Sequence, residues 1–158
     1  MIVTAWIVKE TLVTDIFVNL PTTDLERSKA FYTGLGWEIN PVFTDENAAC
    51  VVVDKNIFFM VLTREYLGTF TDKQIIDTKT HAQASIAFSR ENREAVDETM
   101  DKGLAAGGTE PRPAQDYGFM YSRDLEDPDG NILGFLYMDP VAAEKGPEAY
   151  MAEQGAQA

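Results

Sequence analysis

The 158-residue chain is short of positive charge, histidine and cysteine. Only 13 lysines and arginines stand against 26 aspartates and glutamates, a formal net charge of −13. A field of that sign repels the phosphates of DNA and RNA and the anionic face of a membrane, so neither is expected as a partner. The lone cysteine, Cys50, cannot form an internal disulfide, and its place in the apolar run 48–53 reads as a buried, unreactive thiol. With no disulfide framework, a cytoplasmic location is expected. The lone histidine, His81, excludes a histidine-rich metal site. It follows a charged connector with only Asp77 nearby as an orienting carboxylate, and so reads as a surface residue rather than a general base. No apolar run approaches the ~18 residues of a membrane span. The apolar opening, residues 1–8, lacks the basic residue that a secretory signal carries ahead of its apolar core. Neither a phosphate-cradling glycine loop nor a nucleophile elbow is present.

What remains is ordinary globular composition, 45% apolar and 25% charged, at a length that suits one domain. After an N-terminal extension, 1–14, the run Ile16–Leu20 reads as a strand. Thr23 and Glu26 then fit a capping box. Leu25, Ser28, Phe31, Tyr32 and Leu35 follow at helical spacing, and Gly34 and Gly36 supply the stop. Strands are expected at 37–43, 48–53 and 57–63, closing a first module over 15–63. A polar connector, 64–80, leads into a second module, 81–139, in the same order. It has a strand at 83–89 and a helix at 92–106 with Val96, Met100 and Leu104 on its stripe. Gly103, Gly107 and Gly108 read as that helix's stop, and the acidic residues Glu91, Glu94, Asp97, Glu98 and Asp101 as its solvated face. Strands follow at 109–115, weakened by Pro111 and Pro113, at 119–125 and at 131–138. Asp127-Pro128-Asp129-Gly130 reads as a turn between the last two. It is no calcium loop, because the twelfth position from Asp127 is Met138. The tail, 140–158, has helical turns expected at 141–145 and 148–154.

The element order is thus βαβββ twice, an α+β fold of two modules. The stretch Asp24-Leu25-Glu26-Arg27-Ser28-Lys29-Ala30-Phe31-Tyr32 with Leu35-Gly36-Trp37, and the stretch Glu126-Asp127-Pro128-Asp129-Gly130-Asn131 before the last strand, resemble the vicinal oxygen chelate superfamily. That group holds lactoylglutathione lyase, extradiol dioxygenases, and fosfomycin and bleomycin resistance proteins. The likeness is greatest to its glyoxalase/bleomycin-resistance-like branch. It implies a curved mixed sheet around a cavity, with helices outside. It also implies, in metal-bearing members, four inward His, Glu or Gln side chains on four strands. Those positions fall here at Phe17, Val61, Ser85 and Gly134, and a slip of one residue in any strand brings no better ligand. A cation of that kind needs imidazole or carboxylate donors, so no catalytic metal and no cofactor are expected.

Strand alternation from those positions gives an inward set of Phe17, Asn19, Phe59, Val61, Thr63, Ser85, Ala87, Ile132, Gly134 and Leu136. This composition suits a small organic ligand or, equally, a core that fills the cup. Gly134 marks room for a ligand or for an aromatic side chain opposite. Tyr117, Phe119 and Tyr121 put an aromatic face on one strand, with Tyr121 as a further ligand-binding candidate. The expected function is a metal-free, homodimeric protein that binds, and by binding sequesters, a small aromatic or cationic ligand. The alternative is a lyase or isomerase of the glyoxalase-like group with an unusual site built on Asn19, Thr63, Ser85 or Tyr121.

Overall fold

A computed structural model describes residues 14–155. The expected extension lies, but for its last residue, outside the described residues. Strand β1 (Ile16–Thr22) leads into helix α1 (Leu25–Gly34), and strands β2 (Glu38–Asn40), β3 (Ala48–Asp54) and β4 (Ile57–Thr63) complete the first module. The connector opens with a single helical turn, α2 (Arg64–Leu67), and a 3-10 turn, Gly68–Phe70. The second module runs through β5 (Ser85–Ser89), α3 (Arg93–Ala105), β6 (Gln115–Asp116), β7 (Met120–Glu126) and β8 (Ile132–Met138). Two tail helices follow as the sequence suggests, α4 (Pro140–Lys145) and α5 (Pro147–Gly155), divided at Gly146, which takes a positive φ of 91°. No helix among the described residues is long and apolar enough to cross a membrane.

The eight strands form two four-stranded mixed sheets, ordered β1-β4-β3-β2 and β5-β8-β7-β6, rather than one closed sheet. In each, the first strand of the module lies parallel to the last. Beneath both sheets lies one core. Phe31, Tyr32, Val96 and Met100 from the helices pack on Phe59, Val61, Leu133 and Phe135 from the sheets. An aromatic chain crosses between the modules: Trp37 and Phe59 each meet Phe88, at centroid distances of 5.5 and 5.8 Å, and Phe88 stacks on Phe135 at 5.9 Å. Because Phe59 and Phe88 touch on the core side, both sheets turn their other face outward.

Three elements depart from the pattern read in the sequence. The strand expected at 37–43 stops at Asn40, whose side-chain oxygen accepts the Val42 N–H and starts a 3-10 turn at Pro41. The strand expected at 109–115 shrinks to β6 and one isolated bridge, Thr109 to Glu126, since two prolines remove ladder donors. On α3 the buried stripe is Val96, Met100 and Gly103, while Leu104 is largely exposed. Gly103 is therefore a packing position inside the helix and not part of its stop. A Cβ there would overlap the Leu125 side chain.

The modules are clasped by the loop between β7 and β8. Asp129, its side chain 3% exposed, accepts hydrogen bonds from Thr22 Oγ1 at 2.7 Å, from Thr23 N–H and Oγ1 at 2.9 and 2.7 Å, and from Arg27 Nη2 at 3.0 Å. Asp127 accepts the Tyr32 hydroxyl at 2.7 Å, the Asn131 amide at 2.8 Å and two backbone N–H groups of its own turn. Thr23 is thus drawn to the other module, and the cap of α1 is Asp24, whose Oδ1 takes the Arg27 N–H. The expected capping box of Thr23 and Glu26 is not formed.

The two carboxyls respond to this setting in opposite directions. Burial pushes Asp129 up, but the hydrogen bonds from Thr23 and Thr22 and the Arg27 charge outweigh it and hold the group below its ordinary range. Burial pushes Asp127 up, and the bonds from Asn131, Tyr32 and the backbone offset it only in part. For Asp129 the native state favours the ionised form. Its contribution is therefore complete above the unfolded pKa of about 3.9 and is lost as pH falls through the lower folded value. For Asp127 the sign reverses, and its contribution fades as pH rises through its higher folded value. Two outcomes are expected in urea denaturation. D129N flattens the loss of stability on the acid side of pH 4 and costs about 2 kcal/mol at neutral pH, since the Thr22, Thr23 and Arg27 donors lose their ionised acceptor. G103A costs about 1–3 kcal/mol by overpacking.

Candidate functional site

Paired residues on neighbouring strands share a face, which sorts the sheet side chains without ambiguity. On the first sheet Phe17 pairs with Phe58, Asn19 with Met60 and Pro21 with Leu62, and β3 adds Ala48, Cys50 and Val52 to the same face. On the second, Ser85 pairs with Ile132, Ala87 with Gly134 and Ser89 with Leu136, joined by Ser122 and Asp124 of β7. These are the outward faces. β1 and β5, each an edge strand, come together where Gln83 Nε2 donates to the Asn19 carbonyl at 3.5 Å.

Of the sequence-derived set, the residues on β1, β5 and β8 lie on these outward faces, whereas Phe59, Val61 and Thr63 of β4 point to the opposite side. Phe59 and Val61 are fully buried against the helices, and Thr63 caps α2 by accepting the Tyr66 N–H. The side chains standing beside Phe17 and Asn19 are Phe58 and Met60. Tyr121 also leaves the set. Its hydroxyl donates to Asp97 of α3 at 2.8 Å, within an ion-pair network that joins Arg123 to Asp97 and Glu110. Asp97 thus serves that network and is no plain solvated residue. Phe17, Asn19, Ser85, Gly134 and Leu136 remain on the outward faces, but Asn19, Thr63, Ser85 and Tyr121 do not converge as an enzymatic site would require. At Gly134 the nearest neighbours are not aromatic: a Cβ would sit 3.1 Å from Asp124 Oδ1 and 3.5 Å from the Ala87 Cβ. His81 is exposed beside the Thr80 hydroxyl, 2.8 Å from Nδ1, and Cys50 is buried with its thiol pushed up by desolvation.

The apolar outward face of the first sheet forms the floor of a hollow of about 400 Å³. Asn19, Ala48, Met60 and Leu62 form its base. Its walls are the 3-10 turn, through Val42 and Phe43, and the start of the connector, through Tyr66 and Phe70. These wall residues are strongly exposed for apolar side chains, Val42 by 80%, Phe43 by 65% and Phe70 by 55%. Phe17, 57% exposed, stacks on Phe58 at 4.9 Å on the same face. The sequence does not announce these walls, because 41–43 reads as strand and 64–80 as a polar connector with short helical turns. The signal for a turn was there in Asn40-Pro41. A second hollow of the same volume lies over the clasp, lined by Thr22, Thr23, Thr78, Asp77, Arg64, Lys79 and Asp129. Its central groups are already bonded to one another: Asp129 to both threonines, and the Thr78 hydroxyl to the Asp129 carbonyl at 2.6 Å.

The donors on the four strands where a metal would lie do not fit a divalent cation. Phe17, Val61, Ser85 and Gly134 offer one hydroxyl between them, and Met60, beside Val61, adds only a thioether, with no imidazole or carboxylate. Among the described residues no three of His, Cys, Asp and Glu come together as a possible metal site.

Comparison with known proteins agrees with this architecture. Residues 14–54 match the family described as bleomycin resistance protein-like N-terminal. No curated protein matches the sequence. Among solved structures, a hypothetical protein from S. aureus superposes with a TM-score of 0.67 at 21% identity, covering 80% of this chain and 94% of its own. A glyoxalase-related enzyme from Fulvimarina pelagi gives 0.65 at 24% identity, covering 83% and 90%. A lactoylglutathione lyase from Agrobacterium tumefaciens gives 0.60 at 16% identity, covering 80% and 93%. The chain has the vicinal oxygen chelate fold, and its resemblance to the glyoxalase/bleomycin-resistance-like branch lies in sequence over the first module and in fold over both. Addition of zinc, nickel or manganese to the purified protein is expected to leave its Tm unchanged. A stoichiometric shift with any of them would mean that other side chains supply the ligands.

Proposed function

We propose that this protein binds a small aromatic or cationic molecule in the hollow on the first sheet and acts by holding it, without a bound metal. The observation that carries this reading is the set of exposed aromatic walls, Phe43, Tyr66 and Phe70, around an apolar floor with Asn19 as its polar anchor. Contiguous exposed apolar surface of this kind marks a binding face, and a volume of about 400 Å³ suits a small organic ligand. Aromatic rings hold planar ligands by stacking and cations by their π faces. The net charge of −13 raises the local concentration of a cation further. The same walls are wide open, and we take a second copy of the chain as the partner that covers them, making the working form a homodimer in the cytoplasm.

Proflavine, a planar aromatic cation with its own fluorescence, tests this directly. Saturable binding is expected, with stabilisation of about 2.7 kcal/mol at one hundred times its Kd. The double variant F43S/F70S touches only exposed side chains. It is expected to weaken binding by about tenfold or more while leaving the far-UV circular dichroism unchanged, and to shift the protein from dimer to monomer in light scattering. Unaltered proflavine affinity in that variant would overturn the reading.

A further inference from the structure

An arginine without a carboxylate sits at the seam between the modules. Three other arginines of the described chain are held by acids: Arg27 by Asp129, Arg93 by Asp116, and Arg123 by Asp97 and Glu110. Arg90, just past β5, is held differently. Its backbone N–H donates to the Leu136 carbonyl at 2.7 Å, and its guanidinium carbon lies 4.8 Å over the Phe135 ring. Nε donates to the Thr99 hydroxyl at 3.0 Å and Nη1 to the Ser89 carbonyl at 2.9 Å. Nη2 has no partner among the described residues, and none of their carboxylates is ion-paired with this group. The guanidinium is half-buried and held in place without an ion-paired acid, as is that of Arg64, whose two terminal nitrogens donate to the Ile75 and Ile76 carbonyls and leave neither free. Burial lowers the Arg90 pKa, with the nearby Asp54 charge opposing that shift.

Arg90 borders a hollow of about 210 Å³. Trp37, Val53, Ile57 and Phe88 make its apolar walls, and Asp54 stands at its edge. The volume equals that of about seven liquid waters, room for an organic acid of a few carbons. We propose that this hollow binds a small monocarboxylate, its carboxylate on Nη2 of Arg90 and its hydrocarbon part against Trp37, Val53 and Ile57. The guanidinium is already fixed in place by Thr99, Ser89 and Phe135, so little side-chain entropy is lost on binding. Asp54 has one oxygen engaged by the Lys55 N–H at 2.6 Å, and its charge disfavours dianions. This hollow shares no lining residue with the one on the first sheet, so the site stands independently of the function proposed above.

Of the two tryptophans, Trp6 lies outside the described residues, and a W6F variant leaves Trp37 as the sole reporter. Sodium butyrate titrated into W6F should change the Trp37 emission saturably, whereas sodium chloride at equal ionic strength should not. Propylammonium chloride, similar in chain but opposite in charge, should have no effect. R90Q in the same background should weaken butyrate binding by about tenfold or more, and D54N should tighten it. R90K, which keeps the charge but loses the planar fork, should weaken it less than R90Q and guards against an R90Q that fails to fold. A response equal to that of chloride or propylammonium, or a butyrate affinity unchanged in both Arg90 variants, would overturn the proposal. So would a D54N variant that loses stability without gaining affinity, because Arg90 would then be paired with Asp54 in solution.

Discussion

Two buried carboxyls in the β7–β8 loop govern how the modules meet. Asp129 gathers Thr22, Thr23 and Arg27 of the first module, and Asp127 takes the hydroxyl of Tyr32, a side chain fully buried in the common core. Every one of these donors is separated from the loop by about a hundred residues of chain. A buried acid costs a great deal unless its lone pairs are used, so the pair is satisfied in only one relative placement of the modules. Apolar packing alone would tolerate several placements. The aromatic chain from Trp37 through Phe88 to Phe135 packs across the seam, but the carboxyls give it a register. Gly130 belongs to the same constraint: its φ is 86° and a Cβ would strike the Thr78 carbonyl, so the loop closes on the connector as well.

With one face of each sheet committed to that core, alternation assigns every other strand residue to the opposite face. On the first sheet this face is apolar: Phe17, Phe58, Met60 and Leu62. On the second it is mixed: Ser85, Ala87, Ser89, Ser122 and Asp124 stand beside Ile132, Leu136 and Met138. The two modules share a fold but not a surface. The apolar face alone gains walls, because Pro41 breaks β2 early and Thr63 caps a helical turn as soon as β4 ends. The hollow is thus a product of two local stop signals, one at each end of a strand, rather than of the sheet itself.

Much of this could be read from the residues. The repeated βαβββ order, both long helices, the glycine stops and the two tail helices follow from periodicity and capping. The outward positions on β1, β5 and β8 followed from alternation. What failed did so for definable reasons. β4 is apolar on both faces, Ile57-Phe58-Phe59-Met60-Val61-Leu62, so its pattern carries no phase, and only pairing with β1 fixes which half faces out. Leu104 sits at helical spacing from Met100, yet the glycine before it meets Leu125 more closely than any side chain could, and the helix turns accordingly. The Asp127–Gly130 turn was legible as a turn, but its clasp was not, because hydrogen bonds across a hundred residues leave no local trace. Tyr121 was assigned by its aromatic neighbours, while its position is decided by Asp97 on α3.

Resident charge also explains why the unmatched groups are informative. Arg123 holds two carboxylates, and their attraction, chiefly through the Glu110 bonds, moves its pKa well above the usual value. The Arg90 guanidinium rests instead on a ring and two neutral oxygens, with the Asp54 charge nearby at the edge of a surface hollow. The four strand positions at the centre of the sheets present the converse. There this chain places Phe17, Val61, Ser85 and Gly134, none of which is a strong metal ligand. The outward face of the first sheet is apolar and aromatic. The interactions such a surface offers are apolar burial, ring stacking and charge attraction.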